Sequence, residues 1–483
     1  MSCPQAFSYS RVAVLRENSN VDTIHPPLAV VARGRKIAAV GTIDETAGRR
    51  LSKSFVHVTA FVLLAAWAGA ARGTTYYVRT DGNDRNRGTE DSARGAWRTL
   101  QRAADWAGPG DSVLVRPGTY GAGMNFFGKK GGAPGRPLTV SADAGVVLTH
   151  CATSGVNAKL AGINIENTGP GIIIEGFRVV SDGSMERACI RVTGSDNHVI
   201  RRNECAGGFI GIFCSQSKGT EISDDDCHHS TDQHGIYCSA GTSGLVIRHN
   251  LLHDNHWDGL HLNSSKASGP NDKALVERNT CYANQLSGMD VEGCTHATFR
   301  NNLIFGNEKH GMTFHSADQA GTEPCSGNTI VNNTVVCSNT NLCFAVQFRP
   351  EDTEGTVLFN NVLLSTEASN CGSINTFSAE SAAKLTSDYN VVSDRFSLRG
   401  GEKMARAAWQ GQTGHDRHSV VAAAAATFAD VARNDFRLRP GAPARKLGVA
   451  SLAGHSAPPD DLDGARRDAV FDAGAYAFKP ARK

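Results

Sequence analysis

The sequence predicts an all-β fold, a solenoid of parallel strands, and three observations carry that expectation. The first is a repeat: the chain reads GIFCS from Gly211, HGIYCS from His234, DGLHLN from Asp258, SGMDVE from Ser287 and HGMTFH from His310. The glycines stand at 211, 235, 259, 288 and 311, so the steps are 24, 24, 29 and 23 residues. The second is a marker in phase with the first. Asn203, Asp225, Asn250, Asn279, Asn302, Asn333 and Asn361 each follow a short apolar run such as VIRRN or LVIRHN. The third is period-two alternation, which turns Ile236 and Cys238, or Leu260 and Leu262, to one face and their neighbours to the other.

These signals define one coil as strand, turn, strand, Asn turn, strand and loop, with coils of about 22 to 29 residues in the range of a parallel β-helix. A single coil cannot cover its own apolar edges, so stability comes from stacking. Like positions then lie about 4.8 Å apart on successive coils, and an Asn amide at each turn can bond to the coils above and below.

At the N-terminus Arg49, Arg50 and Lys53 precede the apolar stretch Phe55 to Ala66, and Ala68-Gly69-Ala70 supplies a small-x-small cleavage pattern. Residues 50–70 therefore read as a signal peptide cleaved after Ala70, placing the mature chain in the periplasm or medium. Residues 1–49 read as an extension upstream of the natural start. About 12 apolar residues are too few for a span, so no stable membrane insertion is expected. Next come a strand at Thr75 to Val78 and an amphipathic helix from Arg98 to Trp106, stopped by Gly108-Pro109-Gly110. That helix is expected to cap the first coil. The β-helix with this cap is assigned to 71–390. Residues 391–483 are read as the last coils and a C-terminal cap built from DFRLRPGAP (from Asp435), DLDGARRD (from Asp461) and FDAGAYAF (from Phe471).

Formal charge is +2, and residues 71–483 hold 41 Lys/Arg against 43 Asp/Glu, which argues against a nucleic-acid groove. Thirteen cysteines include stacked pairs, Cys214 with Cys238 and Cys205 with Cys227, which read as small core fillers or as vertical disulfides in an exported protein. No cysteine spacing reads as a zinc site.

The coil pattern, with its Asn column, resembles the pectate-lyase-like superfamily of right-handed parallel β-helices. The opening TYYVRTDGNDRNRGT and the WRTLQRAADWAGPGDSVLVRPGTY that follows from Trp97 are similar to the entry segment of many secreted members. The resemblance makes the GIYCS-type strand part of the first sheet, whose outer face bears the active site in the lyases and the alginate epimerases. Of the Asp-Pro-His-Glu motif of those epimerases the chain keeps Asp232 and His234. It implies a secreted, monomeric protein acting on an acidic polysaccharide. A lyase is the first reading, with a C5-epimerase, a glycoside hydrolase or a non-catalytic carbohydrate-binding protein as alternatives.

Two and four residues past each glycine or its equivalent position, the outward positions include Arg191, Tyr237, His261, Asp290, Glu292, His315 and, after a longer loop, Arg349; just before it stand His234, Asp258 and His310. Proton abstraction beside a sugar carboxylate needs a base, a proton donor and a cation. Tyr237 and His261, with His234 and Asp258, are the expected catalytic groups. Arg191, Lys266, Lys273, His310, His315 and Arg349 are the expected substrate contacts, and Asp290 with Glu292 the expected Ca²⁺ ligands. Asp258 with Asp290 would serve a hydrolase. As outward residues of a sheet, these side chains are expected to contribute little to stability.

Overall fold

In the computed structural model the alternating runs become strands that stack coil upon coil into three parallel sheets of 12, 11 and 12 strands. It describes residues 73–480 apart from 129–130, 265–267, 317–323, 339–341, 350–351, 367–370 and 401. All of these belong to one unit, Ala68–Lys483. The extension, the signal peptide and Lys266 lie outside the described residues. Each coil runs through the 11-stranded first sheet, then a second and a third, as in Ile236–Ser239, Val246–Arg248 and Leu251–His253.

The register explains the core. Ile212, Ile236, Leu260, Met289 and Met312 pair in one inward row, and Cys214, Cys238, Leu262, Val291 and Phe314 in another. All ten are buried, so each coil's apolar edge is covered by the next.

The Asn column is a hydrogen-bonded ladder between the second and third sheets. Asn250 Nδ2 donates to Ile222 O (3.0 Å) and to Asn279 Oδ1 (3.0 Å). Asn279, Asn302, Asn333 and Asn361 repeat the pattern, and Asn390 adds a rung beyond the residues marked in the sequence. The residue before each rung, from Arg202 and Asp224 to Asn332 and Asn360, has φ between 54° and 58°. Non-glycine residues disfavour that conformation, and the buried amide bonds hold it in place. A second, shorter ladder that the sequence reading missed runs through Asn255, Asn284 and Asn307, five residues past the first, at the turn leading into the first sheet.

Both cysteine alternatives occur. Cys214, Cys238, Cys205 and Cys227 are buried free thiols, whereas Cys343 and Cys371, paired on adjacent coils, form a disulfide.

The N-terminal helix is shorter than expected, Leu100–Trp106, because Asp84 accepts the N–H groups of Arg98 and Thr99 and Thr99 becomes the N-cap. At the other end the helix Arg406–Thr413 lays Trp409 on Phe396, ring centroids 5.1 Å apart, over the last coil. The segment from Asp435 onward, expected as a cap, instead packs along the flank. Phe436 lies against Phe305, Asn301 donates to Asp460 O, and Asn332 donates to Asp472 O. Arg467, buried among Asn301 Oδ1 and the carbonyls of Gly474 and Ala475, pins this arm. No helix among the described residues is long and apolar enough to cross a membrane.

Candidate active site

Strand pairing puts Tyr237, His261 and Asp290 in one outward row on three successive coils of the first sheet, with Thr313 and Gln347 continuing it. His234 and Asp258 enter from the turn just before their glycines. Gly235 permits this close stacking, since a Cβ there would meet Gly259 O at 2.8 Å. Side chains that leave the turn are therefore delivered directly against the outward row.

The result is a cluster of imidazole–carboxylate pairs and packed rings. His234 and His261 stack face to face, centroids 4.4 Å apart and planes 8° from parallel; Tyr237 lies 5.1 Å from one ring and 4.9 Å from the other. Each imidazole has its own carboxylate. His234 Nδ1 is 3.1 Å from Asp258 Oδ2, and His261 Nδ1 is 3.3 Å from Asp290 Oδ2. Ser287 N–H donates to Asp258 Oδ1 at 2.7 Å, fixing that carboxylate. Asp290 Oδ1 meets His315 Nε2 at 2.9 Å, while His315 Nδ1 faces Ser316 O. His261 Nδ1, though near Asp290, is not aligned for a hydrogen bond and is left buried without one.

Electrostatics separate the groups. Burial, reinforced by the positive charge of His261, lowers the His234 pKa below the usual imidazole range despite Asp258. Burial also opposes charge on His261, but Asp290 overrides it and the pKa rises. At His315 the same contest lifts the pKa to about 9. Burial works against ionising Asp290, yet its two imidazoles hold its pKa well below the carboxylate range. Burial pushes the Tyr237 phenol up, with Arg187 opposing, so it keeps its proton.

The remaining expected residues are dispersed. Arg191, two coils below Tyr237, is buried and pairs with Glu166 at 2.6 Å. Lys273 is exposed and pairs with Asp272. His310 Nδ1 accepts Phe344 N–H, and burial holds its pKa at about 4, so it is neutral. Arg349 follows the strand paired to that of His315, and its charge reaches both His310 and His315. Sequence reasoning missed Trp257, 39% exposed and 5.4 Å from the His234 ring, and Arg187, whose guanidinium lies 4.6 Å from the Phe213 ring and 5.8 Å from Tyr237. Trp257 was visible as an exposed-side tryptophan next to Asp258; Arg187 lies outside the repeating positions, and nothing in the sequence marks it.

Contrary to the expectation that these outward side chains contribute little to stability, His234, Asp258 and His261 are only 3%, 3% and 7% exposed, so replacing them disturbs buried groups. Calcium, which takes six or more oxygen ligands, does not fit Asp290 and Glu292. Imidazoles face both oxygens of Asp290, and Asn263 Nδ2 donates to Glu292 Oε2 at 2.8 Å. Among the described residues His234, Asp258 and His261 bring ligand-type atoms within 4.8 Å of one another, but near-parallel imidazoles cannot converge their lone pairs on one ion.

Comparison with known proteins bears on the fold. Residues 140–335 match the family model described as right handed beta helix region. The pectate lyase Pel9A is 16% identical, with 85% of this chain and 98% of that chain covered, at a TM-score of 0.52. A XylC–xylose complex is 12% identical over 84% and 98% of the two chains at 0.49. The Azotobacter vinelandii mannuronan C-5 epimerase AlgE6 A-module is 16% identical over 64% and 89% at 0.41. No curated protein matches the sequence. With its three parallel sheets, its Asn ladder and this match, the chain has the right-handed parallel β-helix fold.

Proposed function

We propose that this is an exported, carbohydrate-active β-helix protein that cleaves an acidic, uronic-acid-containing polysaccharide by β-elimination. One observation carries the reading: two stacked imidazoles whose surroundings push their proton affinities in opposite directions, beside a tyrosine that keeps its proton. Divergent proton affinities in one cluster are what acid–base chemistry at a single centre requires.

In the tautomer in which His234 Nδ1 donates to Asp258 Oδ2, 3.1 Å away, rather than accepting the Asp258 N–H at 3.3 Å, Nε2 presents its lone pair as the base. It takes the proton from C5, the carbon bearing the carboxylate. The electron pair forms the C4–C5 double bond, the C4–O bond breaks, and the leaving oxygen takes the Tyr237 phenolic proton. His261, cationic through Asp290, stabilises the charge that develops on the substrate carboxylate. A hydrolase needs a carboxylic acid with a raised pKa, and Asp290 has the opposite. An epimerase would share the abstraction and return the proton without breaking C4–O.

The test is a screen on pectate, alginate and glycosaminoglycans, followed by the ultraviolet absorbance of the unsaturated uronate. A rise with one of them, lost in His234→Ala and Tyr237→Phe, is expected. Deuterium uptake at C5 from heavy water without that rise would move the assignment to an epimerase. Neither signal on any of them would overturn it.

A further inference from the structure

Beside the acid–base cluster runs a second row of outward side chains, two residues before each glycine: Phe209, Gln233, Trp257, Leu286 and Lys309. It is a continuous backbone ladder. Gln233 N donates to Phe209 O, Trp257 N to Gln233 O, Leu286 N to Trp257 O and Lys309 N to Leu286 O, at 2.9 to 3.1 Å. The row therefore advances one coil per residue, parallel to the helix axis, along the edge of the first sheet. Its middle member abuts the cluster, the Trp257 indole lying edge-on to the His234 ring at 5.4 Å.

We propose that this row is the sugar-binding rail of the site, with Trp257 the platform on which a pyranose ring of an anionic glycan stacks while its neighbour is held at His234 and Tyr237. The proposal rests on the reading of the cluster as one that handles acidic glycans, and it adds where and in which direction the chain lies. Three features fit that occupant. An indole with its surface partly in water beside otherwise buried ionisable groups is an amphipathic contact suited to the C–H face of a sugar. The rail spans four coil steps, about 19 Å at roughly 4.8 Å each, which is oligosaccharide length rather than monosaccharide length. Cations stand at both ends, Arg187 near Phe213 and Tyr237, and Lys309 where its charge reaches His310, as an anionic chain would require.

The experiment uses the full chain carrying Tyr237→Phe, so that ligand is not consumed, and titrates hexamers of galacturonate, mannuronate and guluronate by calorimetry against a neutral galactan hexamer. Adding Trp257→Ala should weaken binding of the preferred uronate hexamer about tenfold or more, Trp257→Phe should keep most of it, and Trp106→Ala, at an exposed tryptophan of the N-terminal helix, should change nothing. Melting temperatures, expected to be equal across the set, show that each variant is folded. Unchanged affinity in Trp257→Ala, an equal loss in Trp106→Ala, neutral hexamer binding as tight as uronate, or no binding of any hexamer would each overturn the rail. Lyase activity is read separately by absorbance. A protein that binds through Trp257 without generating unsaturated product keeps the rail and loses the lyase reading, and one that generates product with the same KM in Trp257→Ala does the reverse.

Discussion

Asp225 offers a direct test of the ladder, because it occupies an Asn position with a group that should be charged. It is 1% exposed; Oδ1 accepts both the N–H and the Nδ2 of Asn203, and Oδ2 is buried without a partner. A proton on Oδ2 would restore the donor that every neighbouring Asn supplies through Nδ2. Burial accordingly pushes the Asp225 pKa to about 8, against the opposing bonds from Asn203. In the unfolded chain the same group ionises near pH 3.9. Between roughly pH 4 and pH 8 the folded protein therefore binds one proton that the unfolded chain does not, so stability falls as pH rises and levels off above about 8. The slope is about 1.4 kcal/mol per pH unit, on the order of 4 kcal/mol by pH 7. Asp225→Asn keeps the shape, supplies the donor and removes the titration. Its stability advantage over the wild type should be small near pH 4 and grow towards pH 8, read from urea midpoints and slopes at pH 5, 6, 7 and 8. An advantage independent of pH, or a less stable variant, would refute the reading of Asp225 as a protonated rung.

The outward row should respond unequally to substitution. Tyr237→Phe keeps the ring packing and should lower turnover by about 10² to 10⁴ with little change in melting temperature, whereas His261→Ala removes a buried, stacked imidazole and one of the two partners of Asp290 and should also cost about 2 kcal/mol, measured by urea unfolding. At His315 the folded pKa of about 9 lies above the unfolded value near 6.5. The Asp290–His315 pair is therefore worth most below pH 6.5 and is lost as pH rises through 9, and His315→Gln should flatten the alkaline arm of the stability profile by a few kcal/mol. Arg467→Ala removes a buried guanidinium that bonds to Asn301 and to several arm carbonyls, and should cost about 3 kcal/mol and expose the segment beyond Asp435 to limited proteolysis before the coils unfold.

Much of the fold was legible because β-helix coils repeat their physics. The glycine spacing, the period-two alternation and the Asn column each report a contact that recurs from coil to coil, so the repeat alone places Asn250, Asn279 and Asn302. The same logic put Tyr237, His261 and Asp290 in one row, which the pairing of their strands reproduces. What the sequence withheld were contacts that occur once. The clamp from Arg467 to Asn301 spans 166 residues, and only in hindsight do the doubled asparagines at 301–302, 332–333 and 360–361 mark coils where one amide builds the ladder and the other holds the arm. Arg187 reaches Tyr237 from outside the repeat. Protonation was equally hidden, since it depends on burial that alternation alone does not reveal.

That burial changes what the cluster means. An outward position on a solenoid sheet normally costs nothing to fill with a charged side chain, because water solvates it. Here His234, Asp258 and His261 are gathered where little water reaches, with Asp290 beside them at 20% side-chain exposure, and His261 Nδ1 is left without a hydrogen bond. A buried pair of this kind adds little net stability over apolar residues of the same size, and breaking it is expensive. Selection for folding alone would not assemble two such pairs back to back, while the two Asn ladders, the Cys343–Cys371 bridge and the flanking arm stabilise the coils on which they sit. Stacked imidazoles and their carboxylates concentrated at one place on the sheet are what a site kept for chemistry would show. It follows that activity lost in His261→Ala or Asp258→Ala confounds structure with mechanism. Tyr237→Phe, which changes one oxygen and no buried charge, is the substitution that separates them.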